Sequence, residues 1–196
     1  VLNCCCGAFS DKWFDVSKRC GKEAEALKVE WGQPILPAEK LPADPVKLVK
    51  DLGFDSVASY VWIHHYSLPQ LQTDYNQARD GYFRYWDGAK DKFGVPYFPN
   101  VTMGWDPSPR TAQEDEYGNF RYPFMNTIGG NTPARFKEAL ELTKQRLLAN
   151  PNGPRIMNIN CWNEWTEGSY LEPDTQNGTG YLEAVRDVFG ATQKPK

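Results

Sequence analysis

Four apolar stretches recur along the chain, residues 1–9, 56–63, 97–104 and 155–162. Each runs into a polar or aromatic loop and then an amphipathic stretch. The apolar runs are rich in β-formers and alternate poorly, the pattern of strands buried on both faces of a parallel sheet. The stretches between them carry helix punctuation. Asp44 caps a helix with Pro45 at its first position and Gly53 as its stop, and Val46, Val49 and Leu52 form one face. From Asp74, residues Tyr75, Ala78, Tyr82, Trp86, Ala89 and Phe93 recur at spacings of three and four, up to Gly94. Thr132 and Pro133 open another helix, with Phe136, Leu140, Thr143 and Leu147 on one stripe and Asn150-Pro151 at its close. A last helix over 180–189 is expected to pack Leu182, Val185 and Phe189, and 11–20 also reads as helical. Alternating strands and helices imply a parallel sheet with right-handed crossovers, an α/β fold.

Two connections stand out. The loop 106–131 is long and has little periodicity, and it follows the C-terminal end of a strand, where α/β enzymes place their sites. The stretch 29–43 is Pro-rich and irregular. No linker splits the chain, so residues 1–196 read as a single domain. Four strands with their helices supply about half of a (β/α)8 barrel, which takes about 250 residues.

Composition narrows the function classes. Lys and Arg number 22 against 25 Asp and Glu, a net charge of −3, which gives no basic surface for nucleic acid. No apolar run approaches the roughly 20 residues of a membrane span. The five cysteines, three of them adjacent at Cys4, Cys5 and Cys6, form neither a disulfide framework nor paired zinc-ligand spacing. The only histidines, His64 and His65, are neighbours that point to opposite faces of a strand. No metal site and no cofactor are expected. Aromatics reach 14%, with seven Trp and ten Tyr, suited either to a core or to stacking on sugar faces.

The chemistry concentrates at the end of the last apolar run. There Trp162-Asn163-Glu164-Trp165-Thr166-Glu167-Gly168-Ser169-Tyr170-Leu171-Glu172-Pro173 places three carboxylates among three aromatics. Glu164 and Glu167 lie three residues apart on a loop that can turn both inward. Glycoside cleavage needs such a pair: one carboxyl protonated to help the leaving oxygen depart, the other ionised as base or nucleophile. Trp162 and Trp165 can desolvate one carboxyl and raise its pKa, separating the roles. Asn163 can orient a carboxylate or hold a sugar hydroxyl.

This run resembles the W-N-E-W-x-E-G-x-x-x-E-P signature of glycoside hydrolase family 99, and most closely the family-99-like proteins of bacterial surface-polysaccharide loci, often labelled glycosyltransferases. Gly104-Trp105-Asp106-Pro107-Ser108-Pro109-Arg110 is similar to the G-W-D-x-T-P-R segment of that group, and Gly53-Phe54-Asp55-Ser56 with Tyr60 agrees as well. The resemblance covers about 135 residues, from Phe54 to Gly190. It implies the C-terminal part of a (β/α)8 TIM-type barrel. The missing N-terminal half would come from preceding residues of the same gene, since the chain starts at Val1, or from a partner chain. It also implies a retaining, endo-acting α-mannosidase-type reaction on an oligosaccharide or polysaccharide. In that scheme Glu164 takes the proton of the sugar 2-hydroxyl, and Glu167 is the general acid/base. Surface-polysaccharide chemistry favours the bacterial periplasm or cell surface over the cytoplasm.

The remaining candidates each carry two readings. Trp105, Asp106 and Arg110 sit at a strand end, where Arg110 either pairs with Asp106 or holds a glycan group. Tyr60 and Trp62 either line the site or pack the core, and His64 either contacts substrate or hydrogen-bonds its loop. Tyr170 is placed to stack on a sugar and Glu172 to support the loop. Three functions compete: a glycoside hydrolase on α-linked mannose-type glycans, a glycosyltransferase-like protein that builds surface polysaccharide, and a carbohydrate-binding barrel without catalysis. A transferase would call for a nucleotide-sugar site, and neither a Gly-rich phosphate loop nor a D-x-D pair is present.

Overall fold

The computed structural model describes residues 2–5, 8–28, 44–89 and 91–190; the irregular connection 29–43 lies outside the described residues. By its internal contacts the chain divides into two units, Val1–Leu52 and Gly53–Lys196.

In the first unit, strand β1 (Leu2–Cys5) pairs in parallel with β2 (Glu25–Lys28), Leu2 opposite Glu25, and helix α1 (Ala8–Arg19) lies between them in sequence. Of the expected strand 1–9, Leu2–Cys5 is strand and Phe9 is helical, while Val1, Cys6 and Gly7 lie outside the described residues. Asp11 in the first turn of α1 and Lys18 and Arg19 in its last favour the helix dipole. Strand β2 has only Ala26 and Leu27 as apolar residues, too short a run to read as a strand. Helix α2 (Pro45–Asp51) starts as its sequence dictates, with the Asp44 Oδ1 accepting from the Val46 N–H at 2.9 Å. Val49 of its apolar face is buried, while Val46 and Leu52 are exposed.

The second unit is built on parallel pairs joined by helices. Strand β3 (Val57–Ala58) pairs with β5 (Tyr97–Phe98), and β6 (Asn100–Thr102) pairs with β8 (Asn158–Asn160). β5 and β6 are two halves of one apolar run separated by Pro99, which has no N–H to give and whose carbonyl accepts from Asn158 at 2.8 Å. Three of the expected strands thus lie side by side in chain order, all parallel. Helix α3 (Tyr75–Ala89) crosses from the first to the second, and α4 (Pro133–Ala149) from the second to the third. This is a mixed α/β arrangement of parallel strand pairs and crossover helices.

The helix reading is accurate where burial follows period. Tyr75, Ala78, Tyr82, Trp86 and Ala89 of α3 are all buried, though the helix ends at Ala89 and not at Gly94. In α4, Thr132 caps the Arg135 N–H at 3.3 Å, Pro133 takes the first turn, and Phe136, Leu140 and Thr143 are buried. For α5 (Gly180–Phe189) the stripe is corrected in part: Val185 packs against the core as expected, but Tyr181, Ala184 and Val188 are the buried residues, and Phe189 is exposed. The Tyr181 ring packs edge-on to Phe136 at 5.6 Å and its hydroxyl donates to the Asn131 carbonyl at 2.6 Å, which turns the helix by one residue.

Two short strands lie inside loops where the pattern predicts none. β4 (Gln72–Asp74) pairs in parallel with β7 (Thr127–Gly129), so the long loop 106–131 returns to the body of the unit. There Ile128 donates to the Trp105 carbonyl at 2.8 Å. The other correction is Trp62. The strand expected over 56–63 is replaced beyond Ala58 by extended chain and a 3-10 turn, Trp62–His64. Trp62 is completely buried, stacked 5.9 Å from the Tyr82 ring, with its indole N–H donating to the Asn100 carbonyl at 2.9 Å. It packs the core and does not line a site.

That placement has a measurable consequence. Trp62→Ala removes a fully packed indole and should cost about 3–5 kcal/mol. Trp62→Phe keeps a ring but loses the bond to Asn100 and should cost less. Urea midpoints of the two variants test the order.

Candidate active site

The signature run is positioned by the end of β8. Beyond Thr102 and Asn160 the β6–β8 pairing continues through the Met103 N–H to the Asn160 carbonyl at 3.1 Å. The chain then forms a small antiparallel hairpin, β9 (Asn163–Glu164) with β10 (Ser169–Tyr170), Glu164 opposite Ser169. Between them a 3-10 turn, Trp165–Glu167, ends at Gly168 with φ +61°. A side chain here would be strained, and its Cβ would come within 3.0 Å of Asp106. The glycine thus lets the two loops close on each other, sealed by the Asp106 N–H donating to the Glu167 carbonyl at 2.7 Å. Ser169, fully buried, fastens the base: its Oγ lies 2.7 Å from Asn160 Oδ1 and bonds the Gly104 carbonyl.

On this frame Arg110 joins both carboxylates. Asp106 Oδ1 accepts from the Ser108 N–H at 3.0 Å and starts the 3-10 turn Ser108–Arg110. From its end the guanidinium reaches Glu164 Oε2 at 2.7 Å through Nη2 and Glu167 Oε1 at 3.0 Å through Nη1, while Nε donates to Thr166 Oγ1 at 2.7 Å. Arg110 does not pair with Asp106, one of the two roles its place in the sequence offered. Tyr122 from the long loop donates its hydroxyl to Glu167 Oε1 at 3.0 Å, hydrogen-bonds Arg110, and packs its ring 6.4 Å from that of Trp105. The sequence pointed to this loop as functional, but nothing in it singled out Tyr122 among the loop's other aromatics.

The two carboxyls sit in different surroundings. Glu167 is buried, at 7% exposure, while Glu164 is half-buried. Burial pushes the Glu167 pKa above the ordinary glutamate value; the Arg110 charge opposes this, the Glu164 charge adds to it, and His64 opposes it again. Tyr60 is also raised, first by burial and then by the charge of Glu167. Its ring lies 5.9 Å from that of His64. Tyr60 and His64 thus both lie within electrostatic reach of Glu167. Trp162 and Asn163 are exposed beside them, Trp162 at 53%. Trp165 stacks on Tyr170 with ring centres 3.8 Å apart and donates its indole N–H to Glu172 at 2.6 Å, so Glu172 orients an aromatic platform. Trp105 and Asp106 lie beneath the loop, Trp105 buried. Among the described residues no group of three or more His, Cys, Asp or Glu is placed to hold a metal ion. No helix among them is long and apolar enough to cross a membrane.

Parallel strands thus deliver a buried and a more open carboxyl to one guanidinium. Residues 44–185 match the family described as Glycosyltransferase WbsX, and the chain belongs to that family. Over 93 residues it is 37% identical to a protein called "Uncharacterized protein WxcX" from Xanthomonas campestris pv. campestris strain B100, with the same figures for a second strain of that pathovar. That match covers 47% of this chain and 12% of the relative's length. No solved structure matches the chain. The family match bears out the resemblance to the polysaccharide-locus, family-99-like proteins.

The electrostatics give signed expectations. Removing the cation in Arg110→Ala should move the Glu167 titration to higher pH, and removing the neighbouring charge in Glu164→Gln should move it lower. Carboxyl ¹³C shifts against pH read both. A raised folded-state pKa means the native chain binds more protons than the unfolded one between the two values. Stability therefore falls as pH rises through that window. Glu167→Gln should then be more stable than the parent above the window and lose that advantage below it, as thermal midpoints across pH would show.

Proposed function

We propose that this chain carries the catalytic carboxylates of a retaining glycoside hydrolase that acts on α-linked, mannose-type glycans or a bacterial polysaccharide. The observation that carries the reading is the Arg110 bridge between unlike carboxyls: a buried Glu167 with raised proton affinity and a more open Glu164. Glu167, held above the ordinary glutamate value, keeps its proton to higher pH than an ordinary glutamate, the direction a general acid needs. It protonates the departing oxygen and then draws a proton from water. Glu164, paired with Arg110, takes the proton of the sugar 2-hydroxyl, whose oxygen closes on the anomeric carbon. Exposed Trp162, Tyr60 and the Trp165–Tyr170 stack offer faces for sugar rings. The reading uses no cofactor.

The same reading takes the parallel strands as the C-terminal part of a (β/α)8 barrel within a single catalytic domain, with the site at the strands' C-terminal ends. Three adjacent parallel strands in chain order support it. Preceding residues or a partner chain would supply the rest, and the short coverage of the relatives fits a larger whole. A second reading, a glycosyltransferase that extends a polysaccharide, is favoured by the description of the family. Release of reducing ends supports the hydrolase, and chain extension that depends on an added glycosyl donor supports the transferase.

Within the complete enzyme, Glu167→Gln should cut cleavage of a substrate with a poor leaving group by on the order of 10²–10⁴. The loss should shrink with an activated aryl leaving group. Glu164→Gln should stay defective with both. Activity should fall on the alkaline side as Glu167 loses its proton, at a pH above the ordinary glutamate range. Turnover of a 2-deoxy substrate at a comparable rate would exclude the 2-hydroxyl route, and full activity in both Gln variants would reject the carboxylates.

A further inference from the structure

Next to the loop that carries Glu167 lies a second concavity. Its volume is about 300 Å³, at the small end of ligand pockets, which span roughly 300–1,000 Å³. Trp105 and Asp106 form one wall, and Gln72, Asn131, Gln176 and Asn177 the others, while Glu164, Glu167 and Arg110 take no part in it. Close backbone approach builds the walls. A Cβ on Gly129 would come within 2.5 Å of the Gln72 side chain, and one on Gly168 within 3.0 Å of Asp106.

The lining selects a ligand class. Trp105 is 4% exposed, and its buried indole N–H has no acceptor among the described residues. Four amide side chains both donate and accept, which matches hydroxyl groups. Asp106 is the single charge, and no Lys, Arg or His lines the pocket among the described residues, so an anion would meet only a like charge. A metal ion would find one carboxylate, already accepting from Ser108 at 3.0 Å. Tyr170, stacked on Trp165, joins the pocket to the aromatic platform at its rim.

We infer that this pocket is a binding subsite for an uncharged glycosyl unit, separate from the carboxylate pair; the inference rests on the reading of the chain as a glycan-handling protein. The hydroxyls of the unit engage the amides, beside the Trp105 ring.

The test is a ¹H–¹⁵N titration of the full 196-residue chain, following the tryptophan indole signals. The probe is methyl α-D-mannopyranoside, with methyl α-D-glucopyranosiduronate as the anionic counter-probe. One indole signal, identified by its loss in Trp105→Phe, should shift saturably with the neutral glycoside and not with the uronate. Gln176→Ala changes an exposed residue, so it should fold normally and weaken binding at least fivefold; this variant decides the matter if Trp105→Phe does not fold. Glu167→Gln should leave the shift intact. An indole signal that does not move, one that moves equally with the uronate, or affinity unchanged in Gln176→Ala would overturn the subsite. The two readings also separate. A normal shift with no glycan cleavage by the complete enzyme would keep the subsite and reject the hydrolase, and cleavage without a shift would do the reverse.

Discussion

Arg110 is the contact on which the site depends, because two carboxylates three residues apart on one loop repel each other unless a cation stands between them. The guanidinium has the geometry to do so. Its planar fork offers separate N–H groups to Glu164 and Glu167 and a third to Thr166, all within 3.0 Å. A lysine offers a point charge and no such fork. The bridge also crosses between loops, so one side chain ties the end of β6 to the end of β8. The backbone bond from Asp106 to the Glu167 carbonyl and the bare Cα of Gly168 bring the loops close enough for the guanidinium to reach.

The asymmetry of the carboxyls follows from what covers them. Glu167 lies under Tyr122 and against the buried floor, and desolvation outweighs the attraction of Arg110. Glu164 stands at the open side of the same cation, with more solvent around it. One loop thus presents two carboxyls in unlike environments without any difference in residue type.

Beneath the site the fold is economical. β5 and β6 are one apolar run that serves two neighbours, β3 through its first half and β8 through its second, with Pro99 at the change. Trp62 closes the core over this run by donating to the Asn100 carbonyl, and the Asn100 N–H in turn donates to the Tyr82 hydroxyl at 2.9 Å. The backbone carbonyl and N–H of Asn100 are therefore satisfied by side chains from the turn and the helix, which fixes both against the strand.

The sequence by itself determined the elements whose signal is local. Apolar runs marked the parallel strands, periods of three and four marked α3 and α4, and Asp44, Thr132 and Gly180 marked helix starts, because propensity, capping and periodicity act within a few residues. It also pointed to Glu164 and Glu167, since the motif is contiguous. Only the tertiary structure decided what lies across the sheet. Arg110 meets Glu164 from 54 residues away and Tyr122 meets Glu167 from 45, and no spacing rule ties such positions together. The face of α5 was settled by the Tyr181 contacts with Phe136 and Asn131, and the burial of Trp62 by an acceptor on another strand. Strands of two or three residues, such as β4 and β7, carry too little pattern to be read and exist because their neighbours offer ladder partners. Local chemistry sets which residues can act; long-range packing sets which of them meet, because a contact's free energy is realised only when both partners are brought to the same place.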